Sequence, residues 1–113
     1  MPVDKSLLSG STSLLILKLL SEKDMYGYEM IDTLDKRSEN VFELKAGTLY
    51  PLLHSLVSQG YLTVYEDEAG QKMRKYYHIT KEGQKALNQK EKEWKEYAGA
   101  MVRVLGGTVY GAV

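Results

Sequence analysis

The sequence predicts a mainly α-helical fold with one small β-hairpin, and three observations lead to this prediction. Apolar residues recur at helical spacing in four separate segments. Two short runs rich in aromatic and β-branched residues lie between the third and fourth of these segments. Of the 113 residues, 43% are hydrophobic, which is enough to build the core of one domain.

The first helix is predicted over residues 5–20. Its leucines and Ile16 are too densely spaced for a helix with one solvent-facing side. A helix that is apolar nearly all round is buried on two sides, so its second surface covers either the rest of the domain or a partner chain. After a polar break at residues 21–24, a second helix of about three turns is predicted over residues 26–37.

The third helix has the clearest amphipathic pattern, and Gly60 follows it as a stop. Thr48 is the expected N-cap, which places Pro51 in the first turn, where its missing N–H has no partner. The apolar positions fall at i, i+3, i+4, i+7 and i+8: Leu49, Leu52, Leu53, Leu56 and Val57.

Residues 61–65 and 73–79 are expected to be the strands of a hairpin whose charged tip is residues 66–72. Thr80 then caps a long helix that ends at Gly106. At 1.5 Å per residue, ~25 residues span roughly 37 Å, which is longer than a small domain needs to cover itself.

This order of elements is that of a winged helix-turn-helix with an added long C-terminal dimerisation helix. In such a domain the third helix lies in the major groove of DNA, and the hairpin, or wing, follows the backbone beside it. The expected division is a DNA-binding domain at residues 1–79, a dimerisation helix at 80–105 and a tail at 106–113.

The net charge of zero argues at first against nucleic acid as a partner. The charges are unevenly placed, however: residues 1–44 carry a net −3, residues 45–81 a net +2 and residues 82–113 a net +1. Lys45 precedes the third helix, and the hairpin carries Lys72, Arg74 and Lys75. The placement of these four cations favours DNA binding more strongly than the net charge of zero opposes it.

Other functions are poorly supported by the residue types present. The chain has no Cys and two His, on different predicted elements, so neither a metal site nor a cofactor is expected. No nucleophile lies beside a histidine and no glycine loop of phosphate-binding type occurs, so an enzyme is not expected. The longest apolar run is too short to cross a bilayer and no signal peptide is evident, which predicts a cytoplasmic protein without membrane contact.

Three sequence blocks carry a resemblance to a known family. They are Tyr26-Gly27-Tyr28-Glu29-Met30-Ile31, then Gly47-Thr48-Leu49-Tyr50-Pro51-Leu52-Leu53 with Leu56 and Gly60-Tyr61-Leu62, then Arg74-Lys75-Tyr76-Tyr77-His78-Ile79-Thr80 with Gly83. Together they resemble the PadR-like transcriptional regulators over about residues 14–90. The resemblance implies a homodimeric repressor of the smaller subfamily, in which the C-terminal and first helices build the dimer.

Similarity to the family also indicates which residues contact an operator in double-stranded DNA. The alternative to DNA contact is a packed ring for Tyr50 and a solvated surface position for His54. Arg74 and Lys75 point to opposite faces of a strand and meet one DNA surface only if the hairpin twists or the backbone lies at its tip. Of Tyr26 and Tyr28, which both offer a hydroxyl to phosphate, one is expected in the core. The candidates are Tyr26, Lys45, Thr48, Tyr50, Pro51, His54, Lys72, Arg74 and Lys75.

The last helix carries a second candidate site. Its apolar residues are spaced as in the seam of a helix pair, and the resemblance adds two leucines of the first helix. In some small family members an aromatic residue of this helix stacks on a planar hydrophobic ligand at the dimer interface, so Trp94 has either that role or packing alone. The residues are Leu15, Leu19, Trp94, Tyr97, Met101 and Leu105.

Two other functions stay open at this point. A winged helix also serves as a protein–protein interaction module without DNA binding, because fold does not fix function. That use calls for an apolar exposed face on the third helix, whereas Thr48, His54, Ser55 and Ser58 are polar. The third hypothesis is that the protein has a purely structural role in dimerisation.

Overall fold

A computed structural model of the chain describes residues 10–70 and 72–106. Within these residues the fold is mainly α-helical, as predicted, with one three-stranded antiparallel sheet of order β1-β3-β2. The predicted start of the first helix at residues 5–9 and most of the predicted tail lie outside the described residues. The elements are α1 Thr12–Glu22, β1 Met25–Tyr26, α2 Gly27–Arg37, α3 Ala46–Ser58, β2 Leu62–Ala69, β3 Lys72–Ile79 and α4 Lys81–Leu105.

The core forms around α1, whose dense apolar spacing is explained by its neighbours. Ile16 and Leu17 are fully buried, and α1 contacts α2, β3 and α4. A helix that packs on several elements needs apolar side chains on most of its circumference. In the described residues, the rest of the domain therefore covers most of α1.

Helix α2 begins and ends where its sequence predicts. The carboxylate of Glu29 accepts a hydrogen bond of 3.3 Å from the backbone N–H of Tyr26, which would otherwise lack a helical partner. Arg37 in the last turn pairs with Glu22 of α1 at 2.6 Å. The favourable placement of an acid at the start and bases at the end agrees with the helix dipole.

Helix α3 begins three residues earlier than its sequence predicts. The carbonyl of Lys45 accepts hydrogen bonds from the N–H groups of Thr48 and Leu49, at 3.0 and 2.9 Å. Thr48 is therefore inside the helix, and its prediction as N-cap is wrong. Pro51 lies in the second turn, where its missing N–H leaves the carbonyl of Gly47 without its usual helical donor. Both residues are exposed, so water can supply that donor.

The hairpin strands run further than predicted and take in most of the expected charged tip. The register places Glu66 opposite Lys75 and Asp67 opposite Arg74. Opposite charges directly across an antiparallel pair stabilise it. A stretch that looks like a polar loop when read alone is therefore a strand when paired with its neighbour.

Strand β1 was not predicted from the sequence. It consists of two residues, which pair antiparallel with β3 as Met25 with Tyr77 and Tyr26 with Tyr76. Met25 and Tyr77 are both buried, with 4% and 3% of their surface exposed. The strand fixes the start of α2 against the wing, which decides where Tyr26 and Gly27 lie.

Helix α4 starts and stops at the predicted residues. The hydroxyl of Thr80 accepts a hydrogen bond of 3.0 Å from the N–H of Gly83, which makes Thr80 the N-cap. Gly106 ends the helix in the left-handed conformation at φ 73°. Gly83 and Leu87 are the buried residues of α4, so the helix packs on the core through its first two turns and then projects away from it.

A hydrogen-bonded cluster joins the loop after α1 to the two long strands. The Asp24 carboxylate accepts hydrogen bonds of 2.6 Å from the hydroxyl of Tyr65 and 2.8 Å from Nδ1 of His78. Partial burial opposes ionisation of Asp24, but the bonds from Tyr65 and His78 outweigh it and lower the pKa of the carboxyl. The hydrogen bond between Tyr65 and Asp24, and to a smaller degree burial, raises the pKa of the Tyr65 hydroxyl to about 12.

This cluster predicts a stability difference that depends on pH. The pKa of Asp24 is lower in the folded chain than its ordinary value of 3.8, so its contribution is present above about pH 4 and is lost as the pH falls through the folded value. Asp24→Asn is expected to lower the free energy of unfolding at pH 7 by up to about 1 kcal/mol, because the groups are partly exposed. The difference in free energy of unfolding between this variant and the unmodified protein should become smaller below pH 4.

Urea unfolding of both proteins at pH 7 and pH 3 measures this difference. An Asp24→Asn effect of equal size at the two pH values would show that ionisation of Asp24 does not contribute.

Candidate nucleic-acid interface

Helix α3 presents a polar face to solvent. Leu49, Leu53 and Leu56 are buried on its other side and attach it to the core. The exposed face is the predicted one, and its short side chains leave room for a second molecule to approach the backbone. The exposed residues of α3 are Gly47, Thr48, Pro51, His54, Ser55 and Ser58.

Tyr50 lies at the edge of this face, half-buried against the start of α2. A Cβ added to Gly27 would overlap the hydroxyl of Tyr50, so the glycine permits this close contact. Burial, and to a smaller degree the neighbouring Tyr28, raises the pKa of the Tyr50 phenol. The ring is therefore packed on one side, and its hydroxyl is a neutral hydrogen-bond donor at physiological pH.

A basic groove, with a volume of about 440 Å³, separates α2 and α3 from the wing. It contains three lysine or arginine side chains and three tyrosines. The residues of the basic groove are Tyr26, Gly27, Tyr28, Tyr50, Lys72, Arg74 and Lys75. Five of the nine residues predicted to contact DNA therefore lie around one depression.

The wing cations meet at this groove although they alternate along one strand. Arg74 and Lys75 are adjacent in β3 and start on opposite faces of it. Both nevertheless line the basic groove, as strong local twist in a hairpin allows. Arg74 and Lys75 therefore line one depression close to the tip of the hairpin.

Lys45 lies at a neighbouring groove of about 650 Å³. Tyr28 lines both grooves and has 65% of its surface exposed. Tyr26 is half-buried, so the expectation that one of these two tyrosines belongs to the core is wrong. The second groove is lined by Tyr28, Ile31, Asp32, Asp35, Asn40, Glu43, Leu44 and Lys45.

Thr48, Pro51 and His54 are placed apart from both grooves. They are exposed along α3, beside the basic groove but outside its lining. Apart from Lys45 at the second groove, the predicted residues form two parts: a helix face without charged side chains and a basic groove between that helix and the wing.

The apolar stripe of α4 is exposed in the single chain. The exposed fractions are 50% for Trp94, 61% for Tyr97, 42% for Met101 and 73% for Leu105. Val104, at 83% exposed, extends this stripe and was not among the predicted residues, although its spacing of i+3 from Met101 indicates the same face. An apolar patch of this kind on a monomer marks an interaction surface.

The two leucines predicted beside this stripe have different positions. Leu15 is half-buried and packs against the core. Leu19 is itself a core residue with 3% of its surface exposed. Of the two, Leu15 has surface available to a second chain.

Among residues 10–70 and 72–106, no group of three or more histidine, aspartate or glutamate side chains is arranged to hold a metal ion. The helices in that part of the chain also include none that is long and apolar enough to span a membrane.

Comparison with known proteins gives consistent similarities. The sequence model of the "Transcriptional regulator PadR-like family" matches residues 16–89. A transcriptional regulator from Clostridium thermocellum of known structure is 33% identical with a TM-score of 0.82, over 88% of this chain and 97% of that one. A PadR family transcriptional regulator from Eggerthella lenta is 34% identical with a TM-score of 0.79, over 91% and 88%. A Lysinibacillus sphaericus protein described as uncharacterized protein X is 36% identical over 95 residues, which are 83% of this chain and 87% of that one.

Proposed function

This chain belongs to the PadR-like family of transcriptional regulators, and we propose that it acts as a homodimer that binds operator DNA and represses transcription. Members of the family are regulators and not enzymes, and the fold is the winged helix of its solved relatives. In this proposal the winged helix, up to residue 79, holds the DNA. Residues 80–105 join two copies, and the protein acts in the cytoplasm.

The observation that carries this proposal is the position of the basic groove. It lies between the exposed face of α3 and the wing, so a duplex whose major groove receives α3 brings its backbone to the wing cations. Lys72, Arg74 and Lys75 supply phosphate contacts, which give affinity and orientation without reading sequence. Bases are read by the exposed face of α3, through Tyr50 and His54.

A homodimer is supported by the exposed stripe on α4. In a two-fold dimer the stripes of two copies cover each other, as in other helix pairs. The two α3 helices then reach half-sites about one helical turn, ~34 Å, or a multiple of it apart. The proposed operator is therefore roughly palindromic.

The same dimer offers a route to regulation. A small planar hydrophobic effector that stacks on Trp94 would change the angle between the two α4 helices. The distance between the α3 helices would change with it, and operator affinity would fall by the coupling between the two sites. Half of the Trp94 surface, 50%, is exposed, which supports this part of the proposal. The resemblance to small family members, in some of which an aromatic residue of this helix stacks on a planar ligand, also supports it.

The test of DNA binding uses retention on genomic fragments at moderate salt, followed by affinity for the best-retained fragment. Lys45→Ala and Arg74→Ala are each expected to reduce the slope of log K against log[salt] by about 0.9 per lost phosphate contact, or about 1.8 for a dimer. Tyr50→Ala is expected to weaken binding by about tenfold or more with little change in slope. Lys92→Ala, an exposed lysine on α4, is the matched control and should change neither quantity.

The outcomes separate the three candidate functions. If the unmodified protein retains no fragment, DNA binding is rejected. The protein–protein interaction module and the purely structural dimer then remain, and a protein partner that binds at α3 would favour the first. A dimer without any macromolecular partner would leave the structural role. If the unmodified protein retains fragments but the three substitutions and the control behave alike, the proposed interface of α3 and the basic groove is rejected.

A further inference from the structure

The outer face of the sheet carries three tyrosines whose rings contact one another in sequence, the tyrosine row of Tyr26, Tyr76 and Tyr65. The rings of Tyr26 and Tyr76 meet edge to face at 5.6 Å between centroids. Those of Tyr76 and Tyr65 stack at 5.8 Å. Tyr77, on the opposite face of β3, is buried in the core. The row therefore lies on the sheet surface that the core does not use.

One end of the tyrosine row is anchored by hydrogen bonds. The hydroxyl of Tyr65 donates to Asp24 at 2.6 Å, and His78 holds the other oxygen of that carboxylate at 2.8 Å. Tyr65 is thus fixed at its hydroxyl, and each following ring is held by its contact with the previous one. The pairing of β1 with β3 places Tyr26, and this series of contacts holds its ring.

The other end of the row holds a cation. The guanidinium carbon of Arg74 lies 4.3 Å from the centroid of the Tyr26 ring, a cation–π contact. The register of the hairpin, however, places Arg74 directly opposite Asp67, where an ion pair is the usual result. None of the ion pairs formed within the described residues includes Arg74 or Asp67.

We propose that Tyr26 is a positioning residue for Arg74: its ring holds the guanidinium at the basic groove and away from Asp67, ready to meet a backbone phosphate of bound DNA. This inference rests on the proposed function of DNA binding. It gives Tyr26 an indirect role, through Arg74, in place of a hydroxyl contact to phosphate.

The physical basis is a competition for one side chain. An exposed cation–π contact and an exposed ion pair are of similar strength, so loss of the ring allows the carboxylate to take the arginine. An arginine paired with Asp67 has its donors occupied and its charge neutralised. An arginine on the ring keeps its planar donors available for phosphate.

The decisive comparison is between Tyr26→Phe, which keeps the ring, and Tyr26→Leu, which removes it. The measurement is the slope of log K against log[salt] for a DNA fragment selected by the unmodified protein. Tyr26→Leu is expected to reduce the slope by about 1.8 for a dimer, one phosphate contact per subunit, as Arg74→Ala does. Tyr26→Phe should keep the original slope.

A second pair of measurements tests the role of Asp67. In Tyr26→Leu with Asp67→Asn the competing carboxylate is absent, and the slope is expected to return towards its original value. In the free protein, the ring current of Tyr26 should shift the δ-methylene protons of Arg74 upfield, and Tyr26→Leu should remove that shift while Tyr26→Phe keeps it. Tyr26→Ile serves as a second ring-deleting variant if Tyr26→Leu fails to fold.

Three results would overturn the inference: an unchanged slope in both ring-deleting variants, an equal loss in Tyr26→Phe, or no recovery in the double variant. An equal loss in Tyr26→Phe would show that the ring alone does not hold Arg74 at the basic groove. If the unmodified protein binds no duplex DNA, the proposed function fails and the phosphate role of Arg74 fails with it. The proton shift is read without DNA and distinguishes that case from a misplaced Arg74.

Discussion

Gly83→Ala is expected to lower the free energy of unfolding by about 2–4 kcal/mol, in the range seen when a substitution forces a packed backbone apart. A Cβ at this position would overlap the backbone carbonyl oxygen of Tyr61 and lie 2.8 Å from Cγ1 of Ile79. The carbonyl cannot move easily, because it accepts a hydrogen bond of 3.0 Å from the N–H of Thr80. The gain in helix propensity from alanine, about 1 kcal/mol, is too small to offset this overlap.

Gly99→Ala in the same helix is the matched control. The nearest atom to a Cβ there is Nη1 of Arg103 at 3.5 Å, which is ordinary contact. This variant should be neutral or more stable by up to about 1 kcal/mol. Urea unfolding followed by circular dichroism compares the two, and similar effects at residues 83 and 99 would show that the start of α4 has room to move.

Met101→Glu is expected to weaken the proposed dimer by at least about 100-fold, or roughly 2.7 kcal/mol or more. Met101 lies in the middle of the exposed stripe on α4, with 42% of its surface exposed in the single chain. In a two-fold dimer each substitution occurs twice, so two carboxylates would be buried close together without partners. The winged helix of each chain should stay folded, because the core does not include this residue.

Sedimentation equilibrium over a range of protein concentrations measures this change, with circular dichroism as a check on folding. Lys92→Glu, which changes the charge on the opposite side of the same helix, is the control and should leave association unchanged. If Met101→Glu associates as strongly as the unmodified chain, the α4 stripe is not the dimer contact.

Much of the helical structure follows from local sequence patterns. Helix α2 and the ends of α4 were predicted because their boundaries depend on nearby residues, such as Thr80 at the start and Gly106 at the end of α4. The start of α3 was wrong because Thr48 is a suitable cap but the backbone of Lys45 already supplies the first helical acceptor. Chemical suitability for a cap does not exclude a position inside the helix.

The sheet was less predictable, because its boundaries depend on partners distant in sequence. Residues 66–68 are a strand only because β3 supplies their hydrogen bonds and two opposite charges. Two-residue β1 has no periodicity to detect, and its existence depends on β3 fifty residues later. Within the site, residue types identified Arg74 and Lys75 individually, but only the folded structure shows that they line the same groove.

The resemblance to the family included Gly83 without a physical reason for it. The structure supplies one: the first turn of α4 passes against the carbonyl of Tyr61, where no side chain fits. In contrast, nothing in the local sequence indicates that Tyr26 contacts Arg74, since the two residues are joined only by the pairing of β1 with β3.

The length of α4 affects when its C-terminal part folds. Leu87 is the last buried residue of a helix that continues to Leu105, so in a lone chain the last 18 residues of α4 are held mainly by their own hydrogen bonds. In proteins most helical stability comes from packing of an amphipathic face and not from intrinsic helix propensity. If the proposed dimer forms through α4, folding of this segment is coupled to association. Its helicity should then rise with protein concentration, and its amide protons should exchange slowly with solvent only in the dimer.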